Sequence, residues 1–349
     1  MKKNILLLTL TVLVFFTARS QTNVWPIEKA NAWYAKHKWL SGADYIPANA
    51  INQLEMWQAD SFDPVTIDKE LGWAESIGFN TMRVFLHSIA WKQDPAGFKK
   101  RVDQFLALAN KHGIEPMLVF FDDCWNKEPK AGKQPEPKTG IHNSGWMQDP
   151  GQPASGNAAI YPELEKYVTD VMSSFAHDKR ILLWDLYNEP GNSGKKDSSL
   201  VLLGKIFQWA RAVNPDQPIS AGLWDWGLEK YNRFQVLNSD IITYHNYDEP
   251  AQHLRVIQLL KAFGRPLICT EYMARIRNSR FSNIMPMLKK ENVGAINWGF
   301  VSGKTNTIYA WDTPIKDGAQ PIEWFHDIFY SDGKAYRQDE VELIKKLNK

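Results

Sequence analysis

Two glutamates carry the chemistry this sequence most readily offers. Glu189 falls in Trp184-Asp185-Leu186-Tyr187-Asn188-Glu189-Pro190, and Glu271 in Leu267-Ile268-Cys269-Thr270-Glu271-Tyr272. Each ends a short, strongly apolar run that reads as a buried parallel strand. A carboxylate at the C-terminal end of such a strand is exposed on the face where α/β folds build their active sites. Two acids delivered there from strands far apart in sequence can act on one bond, one as proton donor and one as nucleophile. Glycosidic bond hydrolysis needs that pair, the acid with its pKa raised and the nucleophile with its pKa lowered. A buried ion pair, for example with Arg83, is the structural alternative.

The elements that would position them alternate along the chain. Strand-like runs are expected over 40–46, 81–86, 116–121, 181–187, 218–223, 241–245, 266–270 and 295–299. Asp63-Pro64 and Asp94-Pro95 read as helix starts, and further helices are expected over 162–176, 198–213, 228–236 and 250–263. Gly78, Gly113, Gly264 and Gly294 each precede a strand and read as left-handed helix caps. Eight apolar strands alternating with amphipathic helices predict a single-domain (β/α)₈ TIM barrel. An open doubly wound sheet is the alternative, and no Gly-x-Gly-x-x-Gly turn follows the first strand to support its nucleotide-binding form. One connection, 122–161, is long and rich in Pro, Gly, Lys, Asn and Gln; it reads as a cleft wall or as a solvated excursion.

The ends and the charges bound the setting. Met1-Lys2-Lys3, an apolar stretch from Ile5 to Thr17 and Ala18-Arg19-Ser20 form a secretory signal pattern, so residues 1–20 are expected to be removed and 21–349 to form the catalytic domain. Export to the periplasm or exterior follows. Removal takes away Lys2, Lys3 and Arg19, leaving 38 basic against 39 acidic residues, a net charge of −1. Such a surface gives no electrostatic reason to expect nucleic acid or an anionic membrane as partner. No later stretch is long and apolar enough to span a bilayer. Cys124 and Cys269 are expected to be free, partly buried thiols packed as small apolar groups.

Asn188-Glu189-Pro190 after the fourth strand, with Glu271 after the seventh, resembles the retaining glycoside hydrolases of clan A, and most closely family 5, the cellulase and mannanase family. The resemblance implies Glu189 as acid/base, Glu271 as nucleophile and Asn188 as a ligand of the sugar 2-hydroxyl. It implies that Arg83 keeps the nucleophile ionised, that Tyr247 hydrogen-bonds Glu271, and that His245 contacts the sugar or orients the acid. Trp298 would floor the subsite. No cofactor and no metal are implied, the partner is a β-linked glycan, and a monomer is expected.

The sequence departs from the family pattern after the third strand, where a histidine is usual and Asp122-Asp123-Cys124-Trp125 stands instead. Asp122 and Asp123 either bind sugar hydroxyls or only cap the loop. Trp125 and Trp224, with Trp91, Trp146, Trp226 and Trp311, are candidate sugar platforms, and Lys304 in Gly303-Lys304-Thr305-Asn306-Thr307 is a candidate subsite contact. Glucan, mannan and xylan all stay open, as do internal and terminal cleavage. A metal-dependent barrel hydrolase would want converging histidines, whereas only His245, Asp122 and Asp123 are obvious candidate ligands and no His-Glu-x-x-His occurs. A catalytically idle glycan-binding barrel is the non-enzymatic alternative.

Overall fold

The expected strands are buried along their whole length, because one face of each fills the barrel while the other packs on helices. The computed structural model describes residues 23–152 and 154–349; the expected signal segment lies outside them. The strands are β1 (Ser41–Tyr45), β2 (Thr81–Phe85), β3 (Met117–Asp122), β4 (Leu183–Asn188), β5 (Ile219–Ser220), β6 (Ile242–His245), β7 (Leu267–Tyr272) and β8 (Gly294–Asn297). They pair in parallel in the order β5-β4-β3-β2-β1-β8-β7-β6. β5 is shorter than expected, and the ring is completed by a single bridge from Leu223 to Tyr244. There the Leu223 N–H donates to Thr243 O at 3.0 Å, and the His245 N–H donates to Leu223 O at 2.7 Å. The architecture is the single-domain (β/α)₈ barrel.

Helices start and stop where the side chains dictate. The Asp63 carboxylate accepts from the Val65 and Thr66 amides to cap Pro64–Ser76, and Asp94 accepts from the Gly97 amide to cap Pro95–Lys111. Gly78, Gly113 and Gly264 adopt φ of 78°, 68° and 70° past helix ends. The expected cap at Gly294 is not one. Asn292, at φ 54°, takes the left-handed position, and Gly294 opens β8, where a Cβ would lie 2.9 Å from Ile268 Cγ2. Asn tolerates that conformation through local hydrogen bonding, which hid the substitution of roles. Helix Ile27–Tyr34 stops the bottom of the barrel, where Ala30 and Tyr34 pack with Leu40, Met117, Leu183, Ile241, Ile268 and Ile296. No helix among the described residues is long and apolar enough to cross a membrane.

Two glycines should respond differently to alanine. A Cβ on Gly42 of β1 would lie 1.9 Å from the Thr81 carbonyl oxygen, so the β1–β2 ladder must move. Gly113 has nothing within 4 Å and only its φ of 68° is at stake. Urea unfolding should show a loss of about 1 kcal/mol for Gly113→Ala and of about 3 kcal/mol or more for Gly42→Ala.

Candidate active site

The C-terminal ends of β2, β4, β6, β7 and β8 bring Arg83, Asn188, Glu189, His245, Tyr247, Glu271 and Trp298 together. Arg83 is the junction, fully buried, and each of its three guanidinium nitrogens donates. Its Nε donates to Asp185 Oδ2 at 2.8 Å, Nη1 to Asp44 Oδ1 at 2.8 Å and to Glu271 Oε1 at 3.0 Å, and Nη2 to Asn188 Oδ1 at 2.7 Å. Burial works against its charge, but Asp185, Asp44 and Glu271 outweigh it and hold the guanidinium protonated. Because Arg83 can only donate, the Asn188 amide is fixed with its oxygen toward Arg83 and its NH₂ toward Asp122 Oδ1, at 3.0 Å.

Glu271 takes its second hydrogen bond from Tyr247 Oη, at 2.8 Å to Oε2. Glu189 has a different set of neighbours. His245 Nδ1 lies 2.8 Å from its Oε1, the Cys124 thiol donates to Oε2 at 3.2 Å, and Asn192 Nδ2 also donates to Oε2. The Glu189 backbone sits at φ 44°, a left-handed position that costs a non-glycine residue about 1–2 kcal/mol. One oxygen of each glutamate and a ring nitrogen of His245 all lie within 4.8 Å of one another. Among the described residues this is the set of donors that could meet a cation. Arg83 and Tyr247 already occupy both oxygens of Glu271.

Burial raises the pKa of both glutamates. The expected lowering of Glu271 is therefore not found. Burial and the Glu189 charge push it up, and His245, Arg83 and Tyr247 only moderate the rise. For Glu189 the moderating hydrogen bonds come from Cys124 and Asn192. Burial lowers His245 to about 4, so the imidazole is neutral at pH 7.

The cleft above these groups has a volume of about 490 Å³. Trp125, Trp224, Trp226, Trp298 and Trp311 line it, together with Cys124, His142, Asn143 and Asp248. Asp122 and Asp123 do not line it. Asp122 is turned inward, accepting from Trp146 Nε1 at 2.7 Å and from the Cys124 amide at 2.8 Å. Asp123 is fully buried, accepting from Lys195 Nζ at 2.5 Å, Tyr187 Oη at 2.8 Å and the Gly191 amide at 2.7 Å. Lys304 does not line it either, since it pairs with Glu55 at 2.7 Å. Trp91 and Trp146 are buried in the packing. Both cysteines are free and buried; Cys124 packs with Phe85, Val119, Trp146 and Trp298, as expected, and in addition donates to Glu189.

Sequence reasoning missed Asp44, Asp185, Asn192 and His142. The first two left a signal: charged residues inside strands that are otherwise apolar must find a buried partner. Asn192 and His142 stand in loops with no periodicity to mark them.

The profile of the family described as Cellulase (glycosyl hydrolase family 5) matches residues 50–304. The chain belongs to that family. It is thus a glycoside hydrolase of clan A. Among solved structures it is similar to the endo-β-1,4-mannanase from Thermotoga petrophila, at 13% identity and a TM-score of 0.58, over 90% of this chain and 77% of that one. It is similar to the exo-β-1,4-mannosidase Op5Man5 from Opitutaceae bacterium strain TAV5, at 17% identity and 0.59, over 89% and 59% of the two chains. GH5_18 from Streptomyces cattleya, solved with GlcNAc, matches at 12% identity and 0.59, over 89% and 80%. At these identities the likeness speaks for the fold. No curated protein matches the chain in sequence.

Arg83 is the point at which fold and site are joined. Arg83→Met leaves Asp44, Asp185 and Glu271 buried without a counter-charge, so thermal or urea unfolding should show a loss of about 3–5 kcal/mol.

Proposed function

We propose that this family 5 enzyme hydrolyses a β-linked glycan with retention of anomeric configuration, through a covalent glycosyl intermediate on Glu271. The spacing of the carboxyls carries the reading. Oxygens of Glu189 and Glu271 within 4.8 Å fit the close pair of retaining enzymes, about 5–5.5 Å, and leave no room for the water of the inverting pair at about 6.5–9.5 Å. The two environments divide the work. Glu271 faces a fixed cation and a phenol donor, which favour the anion at the moment of attack. Glu189 has no cation in contact, and burial keeps its proton available for the leaving oxygen.

In the first step the Glu271 oxygen bonds to the anomeric carbon while the C–O bond to the leaving sugar breaks. The Glu189 proton goes to that departing oxygen. In the second, Glu189 takes a proton from water as the water attacks the same carbon and the Glu271 ester bond breaks. Neutral His245 holds the Glu189 carboxyl in place across this cycle. Asn188, held by Arg83 and Asp122, presents its amide to the sugar 2-hydroxyl. Trp298, Trp224 and Trp125 supply flat apolar surfaces for pyranose rings. β-Mannosides are the first substrates to test, given the mannanase and mannosidase neighbours, followed by β-glucans and xylan. Export through residues 1–20 and action as a monomer complete the reading.

Proton NMR of the first sugar released should show the β anomer before mutarotation; an initial α anomer would overturn retention. Glu189→Gln should lower kcat by about 10²–10⁴-fold on substrates with poor leaving groups. Glu271→Gln should abolish turnover but keep ligand binding in calorimetry, whereas a glycan-binding protein would be indifferent to both.

The thiol beside the acid sets a pH limit. The Cys124 hydrogen bond favours ionised Glu189, so Cys124→Ala should raise the Glu189 pKa further. Because the acid must be protonated to act, the basic limb of the kcat/KM profile should move to higher pH, by about half to one unit for one lost hydrogen bond. Movement to lower pH would contradict the assignment.

A further inference from the structure

We propose that the site removes single sugars from the non-reducing end of its substrate, because three loops fuse into a wall behind the sugar that occupies the Glu271 position. The inference rests on the glycosidase reading above and specifies where on a chain the enzyme cuts. Glu189 must touch the glycosidic oxygen, so the leaving group departs past Glu189, over the loops that follow β4 and β5. There the cleft continues into a second hollow of about 570 Å³, with which it shares Asn192, Ser193 and Trp224.

The opposite direction is closed. The Trp311 ring packs 4.8 Å from Tyr247, which donates to Glu271, and His142 lies 6.2 Å from Trp311; both line the cleft, as does Trp298. Next to them the β3 and β8 loops are sewn together. The Asn143 amide donates to Thr305 O at 2.8 Å, the Ile315 amide to Gly140 O at 3.0 Å, and Asn306 Nδ2 to Lys138 O at 2.9 Å. The loop after β1 joins the same seam. Asn52 Nδ2 donates to Gly145 O at 2.8 Å, and Lys304 binds both Glu55 and the Ala48 carbonyl. Beyond Trp298 the structure leaves a void of about 20 Å³, lined by Asp44, Trp146 and Thr305, enough for one water and not for a sugar.

His142 gives the wall a polar contact. Its Nδ1 lies 2.8 Å from the Tyr309 carbonyl, which can only accept, so Nδ1 carries the hydrogen. Burial pushes the ring to about 4, so it is neutral at pH 7 and Nε2 is an acceptor. A hydroxyl of a terminal sugar can donate to it; a chain continuing past that sugar would meet the wall.

The test uses the full chain and defined probes: 4-nitrophenyl β-mannoside and β-glucoside, manno- and cello-hexaose labelled at the reducing end, and galactomannan and carboxymethylcellulose solutions. The expected result is release of nitrophenol, a labelled ladder that shortens one sugar at a time, and unchanged polymer viscosity. Prompt appearance of short labelled fragments with falling viscosity would overturn terminal cleavage and leave the hydrolase standing. Absence of hydrolysis on every probe, and on xylohexaose and xylan as well, would overturn the hydrolase reading, and this inference with it. His142→Ala should raise KM for the nitrophenyl substrate about tenfold, the value of one hydrogen bond, with the unfolding midpoint monitoring the fold. An unchanged KM would remove His142 from the wall's function.

Discussion

The whole site depends on one buried guanidinium. Arg83 ties together β1 through Asp44, β2 through its own backbone, β4 through Asp185 and Asn188, and β7 through Glu271. A barrel needs no charge at its centre, and burying one is costly unless every donor is used. Here every guanidinium nitrogen donates to a buried oxygen, and the result is orientation. The fork holds both the Asn188 amide and one oxygen of Glu271, so the positions of these two side chains are set by one residue.

One positive charge cannot neutralise three acids, and the excess is resolved by where the proton stays. Burial lifts Asp44 well above the usual carboxylate range, with Arg83 opposing and the neighbouring acids adding to the rise. With the Asp44 anion disfavoured, more of the guanidinium charge is left to balance Asp185 and Glu271. Whatever anionic character Glu271 has then comes from charge allocation within the cluster, because its own affinity for the proton is raised. Glu189 stands outside that allocation; its nearest donors are a thiol, an amide and a neutral imidazole. The difference between the two glutamates is therefore one of partners, not of burial.

Much of this was legible in the chain. Apolar runs bounded by glycine and Asp-Pro reported the strands and helices, because a barrel strand is buried on both faces and its helix ends need particular backbone conformations. Glu189, Glu271, Arg83, Asn188, His245, Tyr247 and Trp298 were legible because strand ends converge in this architecture wherever they fall in sequence. The two acids after β3 were not. Nothing in Asp122-Asp123 tells whether a carboxylate turns to the cleft or inward, since that depends on donors such as Trp146 and Lys195 from distant loops. Lys304 was misplaced for the same reason, its partner Glu55 being 249 residues away. Gly294 and Asn292 exchanged roles because both residue types tolerate the left-handed cap, and only packing against Ile268 separates them.

The inward turn of those acids has a consequence for how the site is built. Asp122 holds Trp146 and Asn188, and its backbone pairs with Asp149, so the start and return of the β3 loop are anchored at one point. Asp123 holds Lys195 and the Gly191 amide, which fixes the β4 loop that carries Asn192 against Glu189. Buried charge-assisted contacts of this kind are strong where fully satisfied. The barrel thus supplies the positions of the two glutamates. The acids at the end of β3 supply the positions of the loops that follow β3 and β4. A change of substrate can then arise in the loops anchored by Asp122 and Asp123 while the Arg83 cluster, and the chemistry it allocates, stays as it is.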